Sequence, residues 1–341
     1  MEILSGKKED FFRFLARLNK KEKIAIITHI DLDGIASAIL INEILKQCKR
    51  RVNSFIFTNY NVGMFKEAEK KFKKGTKKVF ILDINASSDY EGFERLKKKY
   101  DVFVIDHHPS ELKNENMIKT NSNDCTTFAI FEIAKEKFDL KKWEGLICAT
   151  MVAEFSYENK FNFEFIKNHY PEFSLKDVYA SRPGEISNKF YSTIIYFKGK
   201  EKKVFDMIVK DKIKKIDKYH IIIEKEIKKG IEKFKKEAEF YKRKNLYFYY
   251  DNPKFSTNSC IATILSIKEP EKSFIFAHDT QDKLGFVSVS SRNQSGKRDM
   301  NLLMHKAVEG LENASGGGHL KASGAKFMKK DLQKFKENLL S

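Results

Sequence analysis

The sequence predicts two α/β domains joined by a helix: a parallel-sheet domain over residues 1–198, a long helical linker over 199–244, and a smaller mixed-sheet α/β domain over 245–341. Three observations predict it. Short, wholly apolar runs alternate with helically spaced apolar residues through the first half. The middle segment lacks proline and is dense in lysine and glutamate, and strand-like and helical patterns resume after it.

In the first domain, Ile24-Ala25-Ile26-Ile27 has the length of a buried strand, and Ile35, Ala38, Ile39 and Leu45 follow at helical spacing from a start near Ile35. A second strand is expected at 52–57 and a helix at 62–72. Val79-Phe80-Ile81-Leu82 reads as a third strand, Tyr90–Lys99 as a helix, and Val102-Phe103-Val104-Ile105 as a fourth strand. Helices at 126–137 and 142–155 complete the domain. Continuous apolar strands alternating with helices call for a parallel sheet covered on both faces. In the linker, Ile223, Ile227, Ile231, Phe234 and Ala238 recur at three and four residues, placing one apolar stripe along a long helix. The stripe does not hold clean heptads, which favours a bridge between domains over a coiled-coil dimer arm. Strands at Leu246–Tyr250, 274–277 and 286–291 follow, and Gly316-Gly317-Gly318 reads as a loop.

A length of 341 residues suits two domains, and an apolar fraction of 41% excludes wholesale disorder. No apolar run approaches the ~18 residues of a membrane helix. The opening stretch has no apolar signal core, so a soluble, cytoplasmic protein is expected. Cys48, Cys125, Cys148 and Cys260 form no C-x-x-C pair, which points to reduced thiols rather than a zinc site or disulfides. Lys and Arg outnumber Asp and Glu by 65 to 47, a formal charge of +18. Part of that lysine reads as ordinary solvated surface. The excess favours a polyanionic partner through counterion release.

The acids and histidines fall at strand ends. The first strand runs into His29-Ile30-Asp31-Leu32-Asp33-Gly34, the third into Asp83, and the fourth into Asp106-His107-His108. A single Asp after a strand is usually a helix cap. Four carboxylates and three imidazoles at one sheet edge exceed what capping needs, and they repel unless cations lie between them. Mixed carboxylate and imidazole donors suit Mn²⁺, with Mg²⁺, Co²⁺ or Zn²⁺ as alternatives. The donor number matches two ions, an arrangement suited to in-line displacement at a phosphoryl centre.

These residues resemble motifs one to three of the DHH phosphoesterase superfamily, which includes RecJ nucleases and oligoribonucleases. The tail resembles the family's DHH-associated domain through Ser290-Ser291-Arg292, Asp299-Met300-Asn301, Gly316-Gly317-Gly318-His319 and Ala322-Ser323-Gly324. The resemblance implies that Asp83 bridges two Mn²⁺ ions, with His29 and Asp31 on one and Asp33 and His107 on the other. It implies His108 near the scissile phosphate and Asp106 orienting its neighbours. Relatives carry an aspartate at a fourth motif, where this chain has Glu154 after an apolar helix. Arg292, Gly316, Gly317, Gly318 and His319 are the expected substrate-binding residues, with Ser288, Ser290 and Arg292 on one strand face opposite Val287 and Val289. Tyr157, Phe161 and Phe163 read as core residues rather than a base-stacking groove.

The resulting expectation is a Mn²⁺-dependent phosphodiesterase acting on an end of single-stranded nucleic acid or short oligonucleotides. A second copy of the chain and a replication or repair protein are further candidate partners. Its rivals are a small-nucleotide phosphatase or cyclic-dinucleotide phosphodiesterase, and a weakly active nucleic-acid-binding subunit.

Overall fold

The computed structural model describes residues 2–112, 115–280 and 285–341. The chain divides into two compact units, Met1–His220 and Ile221–Ser341. The first holds strands β1 (Ile3–Ser5), β2 (Lys23–His29), β3 (Val52–Thr58), β4 (Thr76–Leu82), β5 (Asp101–Asp106) and β6 (Met117–Thr120). They form one sheet in the order β1-β6-β5-β4-β2-β3, parallel throughout except for the β1–β6 pair.

Residue alternation makes two cores. Ile24, Ile26, Phe80, Leu82, Phe103 and Ile105 face one side, and Ala25, Ile27, Val79, Ile81, Val102 and Val104 face the other. Each large apolar side chain among them contributes about 1.5–3 kcal/mol on burial. The helix Leu32–Gln47 lies in the larger core and is buried on every side from Leu32 to Ile41. It packs on β2 and on the helices Thr126–Ala134 and Glu144–Ala153.

Several elements differ from expectation. The helix after β2 starts at Leu32 rather than near Ile35, because Asp31 caps it by accepting a hydrogen bond from Gly34 N–H. The helix expected at 62–72 spans only Met64–Glu69. Strands β1 and β6 were not foreseen. They are three and four residues long, and β6 buries Lys119 and Thr120 beside its two apolar residues, so no period betrays it.

The second unit is a sheet of β7 (Glu239–Tyr241), β8 (Leu246–Tyr250), β9 (Ser273–Asp279), β10 (Phe286–Arg292), β11 (Ser315–Gly318) and β12 (Ala322–Met328). Its order is β11-β12-β10-β9-β8-β7, with only β8 and β9 parallel. The glycine cluster, expected as a loop, is the edge strand β11, since its residues pair in register with Ser323–Ala325 of β12.

The segment 199–244 holds a helix Glu201–Val209, which packs on Leu32–Gln47 and β3, then the 25-residue helix Ile213–Glu237 and β7. The division between the units falls inside the longer helix. Of its apolar stripe, Ile223, Ile227 and Phe234 are buried, and the Phe234 ring stacks on Phe276 at 5.2 Å. Among the described residues no helix is long and apolar enough to cross a membrane.

The turn from β2 into its helix is tight. A Cβ on Gly34 would lie 2.3 Å from the His29 carbonyl oxygen and 2.8 Å from its nitrogen. Gly34→Ala should therefore cost about 2–3 kcal/mol, lowering the melting temperature of the metal-free protein by roughly 4–12 °C. Scanning calorimetry checks this, and an unchanged melting temperature would reject the close approach.

Candidate metal centre

The helix after β2 leads to β3 on one side, whereas the helix after β4 leads to β5 on the other. Strands β2 and β4 are hydrogen-bonded neighbours whose connections depart in opposite directions, the switch point where open α/β sheets bind ligands. His29, at the end of β2, is followed by Asp31 and Asp33, and Asp83 follows β4 at this point. Asp106 ends the adjacent β5, and His107 and His108 come directly after it.

Asp83 is central. It is buried, and its backbone is held in the left-handed region at φ +55 by the Asp83 N–H donating to the Ile105 carbonyl at 3.0 Å. That conformation costs of order 1 kcal/mol for a residue with a Cβ, and Asp tolerates it better than most. His29 Nδ1 lies 3.8 Å from Asp83 Oδ2 and 2.6 Å from Asp31 Oδ2. His107 Nε2 lies 3.4 Å from Asp83 Oδ1 and 3.9 Å from Asp33 Oδ2. His108 Nδ1 is 3.9 Å from Asp83 Oδ1 and 2.8 Å from Asp106 Oδ1.

Two triads have one ligand atom per residue within 4.8 Å of one another: His29, Asp31, Asp83 and Asp83, His107, His108. Asp83 belongs to both, while Asp33 and Glu154 stand outside them. Asp33 is fully buried, and its carboxylate accepts the backbone N–H groups of Thr126 at 2.7 Å and Thr127 at 2.8 Å. The first turn of Thr126–Ala134 thus holds that charge. Glu154 caps the C-terminus of Glu144–Ala153 and is partly buried.

The electrostatics follow from this crowding. Burial, then the charges of Asp33, Asp31, Glu154 and Asp106, pushes the Asp83 carboxyl well above the usual carboxylate range. Burial and the charges of Asp31 and Asp33 do the same to Glu154. Burial would also raise Asp31, but the charge and hydrogen bond of His29, with the Gly34 N–H, outweigh it and hold Asp31 low. Burial lowers His107 despite the neighbouring carboxylates. Asp83 Oδ2 and both ring nitrogens of His107 are buried without a hydrogen-bond partner. Unpartnered buried donors and acceptors of this kind are costly, and mixed oxygen and imidazole nitrogen atoms are the donor set that divalent transition metals take. The residues present fit such ions.

Neighbours that the sequence did not single out complete the edge. The Tyr60 hydroxyl lies 3.0 Å from His108 Nε2 and donates to the Asp83 carbonyl at 3.3 Å. Asn59 Oδ1 lies 3.2 Å from His29 Nε2. Both sit just past β3, in a segment with no ligand-like spacing.

In the second unit, β10 alternates as expected: Val287 and Val289 are buried, and Ser288, Ser290 and Arg292 lie on the opposite, partly exposed face. Arg292 is held by Thr263 Oγ1 at 3.1 Å and Ser259 Oγ at 2.8 Å. Register places Gly318 opposite Ser323, whose partner on β10 is Ser291, and Arg292 opposite Ala322, so Gly318 and Arg292 lie on adjacent rows of the sheet. Gly317 and Gly318 have φ of +155 and +148, and the Gly318 N–H donates to Asn301. His319, which follows, is exposed.

Comparison with known proteins bears on this geometry. Residues 23–171 match the model of the DHH family, N-terminal domain. That segment, within the first unit, carries the likeness to the DHH family. The chain is similar to an exonuclease RecJ solved with manganese, with a TM-score of 0.72 at 13% identity over 97% of this chain and 92% of that one. The RecJ of Thermus thermophilus in complex with Mn²⁺ gives 0.73 at 13% identity, over 97% of this chain and 53% of that one. CDC45 from Entamoeba histolytica gives 0.62 at 13% identity, over 97% of both chains. An uncharacterized protein of Methanocaldococcus jannaschii is 25% identical over 195 residues, which is 52% of this chain and 43% of that relative. The match thus spans less than half of that relative's length. The structural likenesses establish a RecJ-like, two-sheet fold.

Ionised Asp83 is unfavourable in the metal-free fold. A carboxyl whose folded pKa is raised contributes stability that is full below its unfolded value and is lost as pH rises through the folded one. Asp83→Asn, which cannot ionise, should melt a few degrees above the metal-free parent at neutral pH, since about 1 kcal/mol is roughly 2–4 °C in a unit of this size. The gap should narrow toward acid pH. Melting curves in chelator at several pH values measure it, and a variant less stable at neutral pH would contradict the charge-repulsion account.

Proposed function

We propose that this protein is a manganese-dependent phosphodiesterase that removes nucleotides from an end of single-stranded DNA, RNA or short oligonucleotides. One observation carries the reading: a single buried carboxylate, Asp83, is common to two ligand triads and retains an unpartnered oxygen. In this reading Asp83 is shared by two ions, His29 and Asp31 hold one, and Asp33 and His107 hold the other, with Glu154 at the fourth motif. When bound, a pair of divalent ions neutralises phosphoryl oxygens and lowers the pKa of the attacking water. Nitrogen donors beside the carboxylates favour Mn²⁺ or Co²⁺ over Mg²⁺. RecJ, whose fold this chain resembles, is solved with Mn²⁺ and with Mg²⁺.

The chain's own residues prepare the reaction. Asp106 accepts the Nδ1–H of His108, which fixes the tautomer and leaves Nε2 toward Tyr60 and the rim, where it can hold or pass a proton. The backbone N–H groups of Thr126 and Thr127 hold the Asp33 carboxylate in place. The positive end of Leu32–Gln47 faces the same edge and offsets part of the anion repulsion. In the second unit, Arg292 and the row Gly316, Gly317, Gly318 and His319 offer a cation, backbone N–H groups and an imidazole to a phosphate or sugar. The net charge of +18 supports a polyanionic substrate over a small nucleotide. A second reading, a weakly active nucleic-acid-binding subunit, draws on Glu154 and on the likeness to CDC45.

End-labelled single-stranded DNA and RNA ladders incubated with Mn²⁺ decide between these readings. The proposal expects shortening from one end, abolished by chelator and reduced roughly 10²–10³-fold or more by Asp83→Ala. Retention of label with tight binding favours the subunit reading, and hydrolysis limited to mononucleotides or cyclic dinucleotides favours a small-molecule enzyme.

For the second unit, Arg292→Ala should raise KM about tenfold while leaving kcat nearly constant, because it removes a charge-assisted contact made before chemistry. Steady-state kinetics on a fixed-length oligonucleotide test this, and an unchanged KM removes Arg292 from substrate binding.

A further inference from the structure

Beside Glu154 the first unit has a cavity of about 460 Å³, within the range of small-ligand sites. Ser122, Asn123, Glu154, Phe155, Glu158 and Lys160 line it. Phe155 stands out twice. It is a large apolar residue left 37% exposed, and its backbone is in the left-handed region at φ +56. A bulky residue rarely adopts that conformation, which glycine accepts freely. The conformation is locked by neighbouring turns: Glu154 N–H donates to the Thr150 carbonyl, Phe155 N–H to Val152, and Glu158 N–H to the Phe155 carbonyl at 3.1 Å. The ring therefore stands at the cavity wall on a fixed backbone, 6.1 Å from the ring of the buried Tyr157.

The cavity adjoins the metal-binding edge through Glu154, whose carboxyl feels the charges of Asp31 and Asp33. Its polar lining selects against a further phosphate, since two of its residues are carboxylates and one is a lysine. Ser122 and Asn123 supply a hydroxyl and an amide able to donate and accept. A neutral, planar, hydrogen-bonding group next to a phosphate is the ligand these features suit together.

We propose that this cavity is a nucleoside subsite, in which the base of the nucleotide being released stacks on Phe155. The inference rests on the phosphodiesterase reading and names the part of the substrate that the first unit recognises. It also accounts for a strained aromatic residue where glycine would fit better.

The test measures binding, so it does not depend on turnover. Full-length protein with Mn²⁺ is titrated with 2-aminopurine riboside 5′-monophosphate, whose fluorescence falls when the base stacks, and ribose 5-phosphate is used as competitor. Wild type should show saturable quenching. Phe155→Gly, which suits the left-handed backbone and so should melt no lower than wild type, should bind the probe about tenfold more weakly and lose the quench. Isothermal titration calorimetry should give ribose 5-phosphate the same dissociation constant for both proteins. Asn123→Ala, at an exposed position, should weaken probe binding without changing ribose 5-phosphate binding. Absence of quenching on wild type, or probe binding undiminished in Phe155→Gly, overturns the subsite. Failure of the phosphodiesterase reading shows separately, as labelled oligonucleotides that never shorten.

Discussion

The first unit is organised around a repulsion. Asp31, Asp33, Asp83 and Asp106 are brought to one edge of a sheet whose two faces pack into apolar cores, and three of them are buried. Desolvation disfavours the ionised forms, and each carboxylate raises the cost for the next. An arrangement of this kind persists only if something outside the side chains themselves is anchored there, because neutral replacements would be more stable. The Asp83 oxygen and the two His107 nitrogens that lack hydrogen-bond partners are the donor atoms a divalent cation takes. Burial of two large cores supplies the stability that tolerates this defect in the metal-free protein.

The fold limits the repulsion locally, and by a different device for each acid. Asp31 is held by a helix N-terminus and His29, Asp33 by two backbone N–H groups of another helix, and Asp106 by His108. Only Asp83 lacks such compensation beyond a hydroxyl contact from Thr126 at 3.3 Å. The uncompensated carboxylate is thus the one at the geometric centre, where a positive charge would be attracted most strongly. These hydrogen bonds fix the three acids in place, so that the edge is preorganised rather than assembled on binding.

Much of this was legible because it depends on period and on strand ends. Apolar runs such as Ile24–Ile27 and Val102–Ile105 have no other use in a chain of this composition, and acids immediately after them must fall at the carboxyl edge. The short strands β1 and β6 were not legible, since three or four residues with a buried lysine carry no period. Nor could Tyr60, Thr126 or Thr127 be identified from spacing. Their contribution comes through one hydroxyl or backbone N–H brought close by helix packing, a tertiary fact that leaves no pattern in the chain. The glycine cluster was visible as a cluster, but its conformation was not: its pairing with β12 comes from a strand later in the chain.

Glu154 and Phe155 form the part of the edge where this chain departs from the family pattern. A glutamate reaches one methylene farther than an aspartate, so a carboxylate at this position can approach the same ions only if its backbone stands farther back. The residue that follows is in the left-handed region just past the helix end, and it lines the cavity together with Glu154. The longer side chain and the strained successor are therefore parts of one local arrangement. Phe155 holds there a conformation that glycine or asparagine adopts at lower cost. Its ring is exposed and lines the same cavity as Glu154, so the acid near the metal-binding edge and the aromatic residue beside it face one space.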